Sequence, residues 1–97
     1  MQIIAKKVLV DFNEKYHDSK GSLESWHYEA KSAEWKTSMD IKKRYRTASI
    51  LKNNRVVFNI CGNKYRLVVK VEYKLKTIYI RFIGTHKEYE KINAEEI

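Results

Sequence analysis

Apolar positions change their spacing near the middle of the chain. Gln2 to Ala5 is consistent with a short strand, and Val8, Leu9, Phe12 and Tyr16 then recur at intervals of one, three and four residues. That spacing predicts a first helix over Ala5 to Tyr16. The run His17-Asp-Ser-Lys-Gly21 is turn-like and offers Asp18 or Ser19 as the N-cap of a second helix. Its apolar stripe is Leu23, Trp26, His27, Ala30 and Ala33, and it extends to about Glu34. Thr37 or Ser38 caps a shorter third helix through Met39, Ile41 and Tyr45.

Beyond that point the period becomes two. Val56, Phe58 and Ile60 alternate with Arg55, Val57 and Asn59, Gly62-Asn63 supplies a turn, and Tyr65, Leu67, Val69, Val71 and Tyr73 alternate with Lys64, Arg66, Val68, Lys70 and Glu72. Two antiparallel strands follow. A further strand over Thr77 to Gly84 sets Ile78, Ile80 and Phe82 on one side and Tyr79, Arg81 and Ile83 on the other. Thr85 then caps a terminal helical turn through His86, Tyr89 and Ile92. A helical half followed by a strand meander reads as α+β, with N-terminal helices on one face of an antiparallel sheet and a short C-terminal helical turn. With 97 residues, the chain has apolar surface for one core, so residues 1–97 form a single domain.

Composition then narrows the partners. Lysine and arginine number 20 against 12 aspartates and glutamates, a formal charge of +8. Such a field draws polyanions, nucleic acid foremost. Cys61 is the single cysteine, which leaves no internal disulfide and no Cys/His set with zinc spacing, and points to a reducing, cytoplasmic setting. Met1-Gln-Ile-Ile-Ala-Lys-Lys lacks the apolar core of a signal peptide, and no apolar run approaches membrane-spanning length, so no membrane role is expected.

The alternation that turns Tyr65 to Tyr73 toward the helices sends Lys64, Arg66 and Lys70 to the opposite face. If Ile78, Ile80 and Phe82 are buried, Arg81 joins them in one open groove. Guanidinium groups bind phosphate oxygens bidentately and stay charged at cellular pH. His86 lies five residues beyond Arg81, and a histidine titrates in the range suited to proton transfer. Arg66, Arg81 and His86 are therefore candidate catalytic groups of a ribonuclease without a metal ion. Plainer alternatives stand beside this one. A lone strand arginine is more often solvated, Trp26 and Trp35 at helical spacing more often seal a core than stack on bases, and His27 sits on an apolar stripe. Lys42-Lys-Arg-Tyr-Arg46 is either a phosphate-gripping cluster or a solvated helix end. Cys61 has no neighbouring base in sequence.

The stretches Asn53-Asn-Arg-Val-Val-Phe-Asn-Ile, Gly62-Asn-Lys-Tyr-Arg-Leu-Val-Val and Tyr79-Ile-Arg-Phe-Ile-Gly-Thr-His-Lys-Glu-Tyr resemble the HigB family of bacterial toxins within the RelE/ParE superfamily. Ala30-Lys-Ser-Ala-Glu-Trp-Lys and Ile41 to Leu51 extend the likeness over nearly the whole chain. The resemblance implies a RelE-like fold and ribosome-dependent cleavage of mRNA with no cofactor. It assigns the catalytic positions to Arg66, Arg81 and His86, with Lys64 and Tyr89 as weaker, substrate-binding candidates, to which the strand alternation adds Lys70. It implies a helix-turn-helix antitoxin of the HigA kind, with the ribosome and mRNA as the other partners and operator DNA met only through the antitoxin. A gyrase inhibitor of the ParE kind and a plain RNA-binding module are the other function classes; the arginine pair with a histidine disfavours the first, and translation-dependent mRNA cleavage separates the nuclease from both.

Overall fold

The two periodicities sort into two layers in the computed structural model, which describes Met1–Ile97. In chain order the elements are β1 (Gln2–Ile4), α1 (Lys6–Lys15), a 3-10 turn (His17–Ser19), α2 (Lys20–Ser32), α3 (Ser38–Arg44), β2 (Ser49–Ile50), β3 (Arg55–Ile60), β4 (Tyr65–Glu72), β5 (Thr77–Thr85) and α4 (His86–Tyr89). The sheet order is β1-β5-β4-β3-β2. β2 to β5 pair antiparallel, as the meander pattern requires. β1 adds a parallel strand on the outer side of β5, with Ile3 opposite Ile78. The sheet is thus mixed, and the two-residue edge strand β2 is one the alternation does not announce.

The helices bury their apolar stripes on one sheet face. Leu9 of α1, Leu23, Trp26 and Ala30 of α2, and Ile41 of α3 meet Phe58, Leu67, Val69, Val71 and Ile78 in a single core. Each leucine, isoleucine, valine or phenylalanine among them contributes about 1.5–3 kcal/mol by leaving water. Trp26 packs edge-on to Phe58 at 5.4 Å between ring centres, and Trp35 stacks on the same ring at 6.4 Å, so both tryptophans belong to the core. Met39, expected on the apolar side of α3, is instead 62% exposed.

A second, smaller core lies on the opposite face. Val57 and Val68 point away from the helices and are covered by Ala94, with Leu51, Phe82, Tyr89, Ile92 and Ile97 packed around them. The C-terminal segment is tied down there. Arg55, only 8% exposed, donates through Nε to the Ile97 carbonyl oxygen at 2.9 Å and through Nη1 to the Asn53 carbonyl oxygen at 2.8 Å. The far face is therefore not one open groove, because its middle is roofed by residues after β5.

β5 also departs from simple alternation. Leu67 faces Ile83, Val68 faces Phe82, but Val69 faces Ile80, so one extra residue, Arg81, is accommodated opposite the Val68–Val69 step. A bulge of this kind flips the side-chain sequence beyond it. Ile83 consequently turns into the helix-side core and Phe82 joins the far-face cluster, the reverse of the expected arrangement.

The helix entrances use polar side chains in different ways. Ser19 occupies the N-cap of α2 but its hydroxyl turns back to Asn13 Oδ1 at 2.9 Å and the Tyr16 carbonyl oxygen at 2.7 Å. Asp18 beside it is held by Lys64 and by the Tyr65 hydroxyl at 2.6 Å. The Lys64 bond first, and then the Tyr65 bond, lower the Asp18 carboxyl below its ordinary 3.8. A depressed acid contributes stability above its unfolded value and loses it as pH falls through the folded one. Asp18→Asn should accordingly flatten the acid limb of melting temperature against pH below about pH 4. An unchanged limb would assign no linkage to this contact.

Candidate functional site

The chemistry-bearing residues meet at the far-face end of the β4–β5 ladder. Arg66 stands opposite Gly84 on β5 and Asn59 on β3, on the face turned from the helices. Its guanidinium is aimed by the backbone: Nη1 donates to the Asn63 carbonyl oxygen at 2.9 Å. The other terminal nitrogen, Nη2, lies 3.0 Å from His86 Nδ1. Arginine has only donors, so Nδ1 is the acceptor, and a neutral imidazole then carries its proton on Nε2. That nitrogen is 2.9 Å from Glu90 Oε1, one helical turn on.

His86 is placed by the start of α4. Thr85 Oγ1 accepts from the Glu88 backbone N–H at 3.2 Å, and Glu88 Oε1 accepts from the Thr85 N–H at 2.8 Å. This reciprocal box fixes the angle at which the chain leaves β5. The Thr85 backbone bond, with the side-chain bond to the same residue, holds the Glu88 carboxyl below its usual range. Lys15 at the end of α1 and Lys91 act on the same carboxylate, which places further cations around the turn.

Gly84 leaves room for this junction. A Cβ there would stand 2.5 Å from Phe82 Cζ and 3.1 Å from Glu88 Oε1. The Phe82 ring belongs to the far-face core and the Glu88 oxygen to the cap, so neither is free to move aside. Gly84→Ala should cost about 1–3 kcal/mol through overpacking, read as a lower denaturant midpoint. Wild-type stability would mean that the ring turns away at no expense.

The other sequence-derived candidates lie elsewhere. Arg81 is exposed at the bulge, three residues before Gly84, about 10 Å along the strand from the level of Arg66. Lys64 does not join the far face; it belongs to the turn before β4 and bonds Asp18 at the helical layer. Lys70 is on the far face but four residues along β4, ion-paired with Glu72 at 3.1 Å. It lines a mixed-charge cleft of about 500 Å³ with Asn53, Asn54, Arg55, Glu95 and Glu96. Tyr89 is half-buried against the Val57–Val68 cluster. His27, on α2, is shifted down by burial first and then by Lys6 and Lys31. Glu90 is the residue that sequence reasoning missed, and its spacing of four from His86 on a capped turn was the available signal.

A half-buried guanidinium, an imidazole whose one lone pair is held by that guanidinium and a cationic rim suit a phosphodiester: an arginine can neutralise phosphate, and an imidazole released by it can move a proton. No group of three or more histidine, cysteine, aspartate or glutamate side chains is arranged to hold a metal ion, and no helix is long and apolar enough to cross a membrane.

Residues 19–92 match the model of the HigB toxin family, described as the RelE-like toxic component of a toxin-antitoxin system. The mRNA interferase toxin HigB of Escherichia coli K12 is 31% identical over 96 residues, which span 97% of this chain and 92% of the relative. The mRNA interferase HigB proteins of Escherichia coli O157:H7 and Shigella flexneri match with the same identity and coverage.

Proposed function

The chain belongs to the HigB family of RelE-like toxins, and from that premise we propose that it inhibits growth as a ribosome-dependent endoribonuclease acting on mRNA through Arg66, Arg81 and His86 without a metal ion. As a toxin of this family it has an antitoxin partner. We take that partner to be a helix-turn-helix protein of the HigA kind, and the working compartment to be the cytoplasm, where ribosomes and mRNA are met. The +8 charge supports attraction to both RNA and an acidic antitoxin surface.

The observation that carries this reading is the 3.0 Å contact between Arg66 Nη2 and His86 Nδ1. A scissile phosphate competes for the guanidinium and draws it off the imidazole, which frees the Nδ1 lone pair beside the ribose. That lone pair takes the proton of the 2′-hydroxyl as the 2′-oxygen bonds to phosphorus. Arg66 neutralises the extra charge of the phosphorane. The bond from phosphorus to the 5′-oxygen then breaks, water protonates the leaving oxygen, the hydroxide so formed takes the proton from the His86 imidazolium, and a 2′,3′-cyclic phosphate and a 5′-hydroxyl result. Arg81, one bulge away, holds a neighbouring phosphate and keeps the strand in register.

Inducing the toxin alone and mapping mRNA 5′ ends tests the proposal. Cuts should appear within translated regions and vanish when initiation is blocked. Growth arrest with intact mRNA and inhibited gyrase would overturn it in favour of a ParE-like action, and RNA binding without cuts would leave only a binding module.

A further inference from the structure

Resting on the endoribonuclease reading above, we infer that Glu90 is a positioning residue that fixes the working tautomer and orientation of His86. His86 opens α4 and Glu90 caps its end, four residues on, with Glu90 Oε1 at 2.9 Å from His86 Nε2. On the other side of the ring, Arg66 supplies a donor at 3.0 Å to Nδ1. Donors and acceptors therefore alternate along Arg66, His86 and Glu90: the guanidinium N–H meets a ring lone pair, and the ring N–H meets a carboxylate. Only the tautomer protonated on Nε2 satisfies both contacts. It is also the tautomer whose Nδ1 can accept a proton.

The second glutamate of the same turn cannot substitute. Glu88 spends its carboxylate on the Thr85 N–H at 2.8 Å, and its cap fixes the backbone rather than the ring. Once phosphate has drawn Arg66 away, Glu90 is the partner left to distinguish the two ring nitrogens; without it the imidazole keeps its place on the turn but loses that distinction. Both partners are more than half exposed, His86 at 51% and Glu90 at 64%, so water screens the charge of the pair. Orientation through the hydrogen bond is then the larger part of what Glu90 supplies. The expected loss is correspondingly smaller than the roughly 10⁴-fold seen when a buried triad carboxylate is neutralised.

Glu90→Ala, Glu90→Gln and His86→Gln separate the possibilities. Nitrogen-15 spectra of the imidazoles in the free protein, taken in an Arg66→Ala background so that the donor at Nδ1 is gone and with the His86 signals assigned from their loss in His86→Gln, should show the Nε2–H tautomer with Glu90 present and a mixture when Glu90→Ala is added. This readout does not depend on RNA being cut. In single-turnover cleavage on programmed ribosomes, Glu90→Ala should lower the saturating rate about tenfold with the half-saturating concentration unchanged. Glu90→Gln keeps an acceptor oxygen and should recover most of that rate. An unchanged tautomer when Glu90→Ala is added to Arg66→Ala overturns the assignment, as does a Glu90→Gln rate no better than that of alanine. Wild-type cleavage by Glu90→Ala alongside slow cleavage by His86→Gln overturns the role of Glu90 alone. Wild-type cleavage by His86→Gln defeats the site itself, and any catalytic use of Glu90 with it.

Discussion

Single-turnover cleavage by His86→Gln on a programmed ribosome is expected to fall by about 10²–10⁴-fold, the usual worth of a positioned general acid or base. Glutamine keeps a polar side chain of similar reach but cannot take up the 2′-hydroxyl proton. His86 is 51% exposed and belongs to neither apolar cluster, and the Thr85–Glu88 cap that holds its turn does not involve its ring. The variant should therefore fold and melt like the wild type, since a surface change away from cores and caps is usually worth within about 0.5 kcal/mol. The basic surface is untouched, so affinity for ribosomes and antitoxin should stay. Cleavage at the wild-type rate would make the histidine a structural residue and bring Tyr89 forward. Lost ribosome binding would make it a docking residue instead.

That prediction began from sequence, and the parts of it that were readable were the local ones. The turn at Thr85 is announced by Thr at the cap with Glu three residues on, and the structure closes that box in both directions. The alternation of Tyr65 to Val71 likewise fixed which way Arg66 points, because β4 is regular over the stretch that carries it. The bulge was not legible. Phe82 and Ile83 are both apolar, so nothing in their chemistry says which one faces the helices, and the choice is made by the Val68–Val69 step on the neighbouring strand.

The covering of the far face had a signal that a strict reading of alternation passes over. Val57 and Val68 are apolar at positions turned away from the helices, and two such residues on adjacent strands need a partner. The partner is the segment around Ala94, held by Arg55, whose two-nitrogen grip on Ile97 depends on contacts more than forty residues apart in sequence. Lys64 was misplaced for a related reason. Its position in the turn frees it from the strand's alternation, and a carboxylate from the helical layer captures it. β1 pairs with β5 across most of the chain, a non-local choice that three residues cannot declare.

Arg66→Ala should lower the cleavage rate about a hundredfold, roughly 3 kcal/mol of transition-state charge stabilisation, with little change in melting temperature. Its guanidinium bonds two backbone oxygens near the surface and His86, and packs in neither core. Arg81→Ala should also impair growth inhibition, but by a different route, because the bulge sets Arg81 about 10 Å along the strand from the level of Arg66. With Arg81 proposed to hold a neighbouring phosphate from that remove, its loss should appear chiefly in the half-saturating concentration. A double-mutant cycle distinguishes the two roles. Arg66 touches His86, so the Arg66→Ala, His86→Gln pair should lose less than the product of the single losses. Arg81 does not touch His86, and the Arg81→Ala, His86→Gln losses should multiply. Independent losses for Arg66 and His86 would separate the arginine from the proton-transfer step, and strong coupling through Arg81 would show that the bulge brings it to the scissile phosphate when RNA is bound.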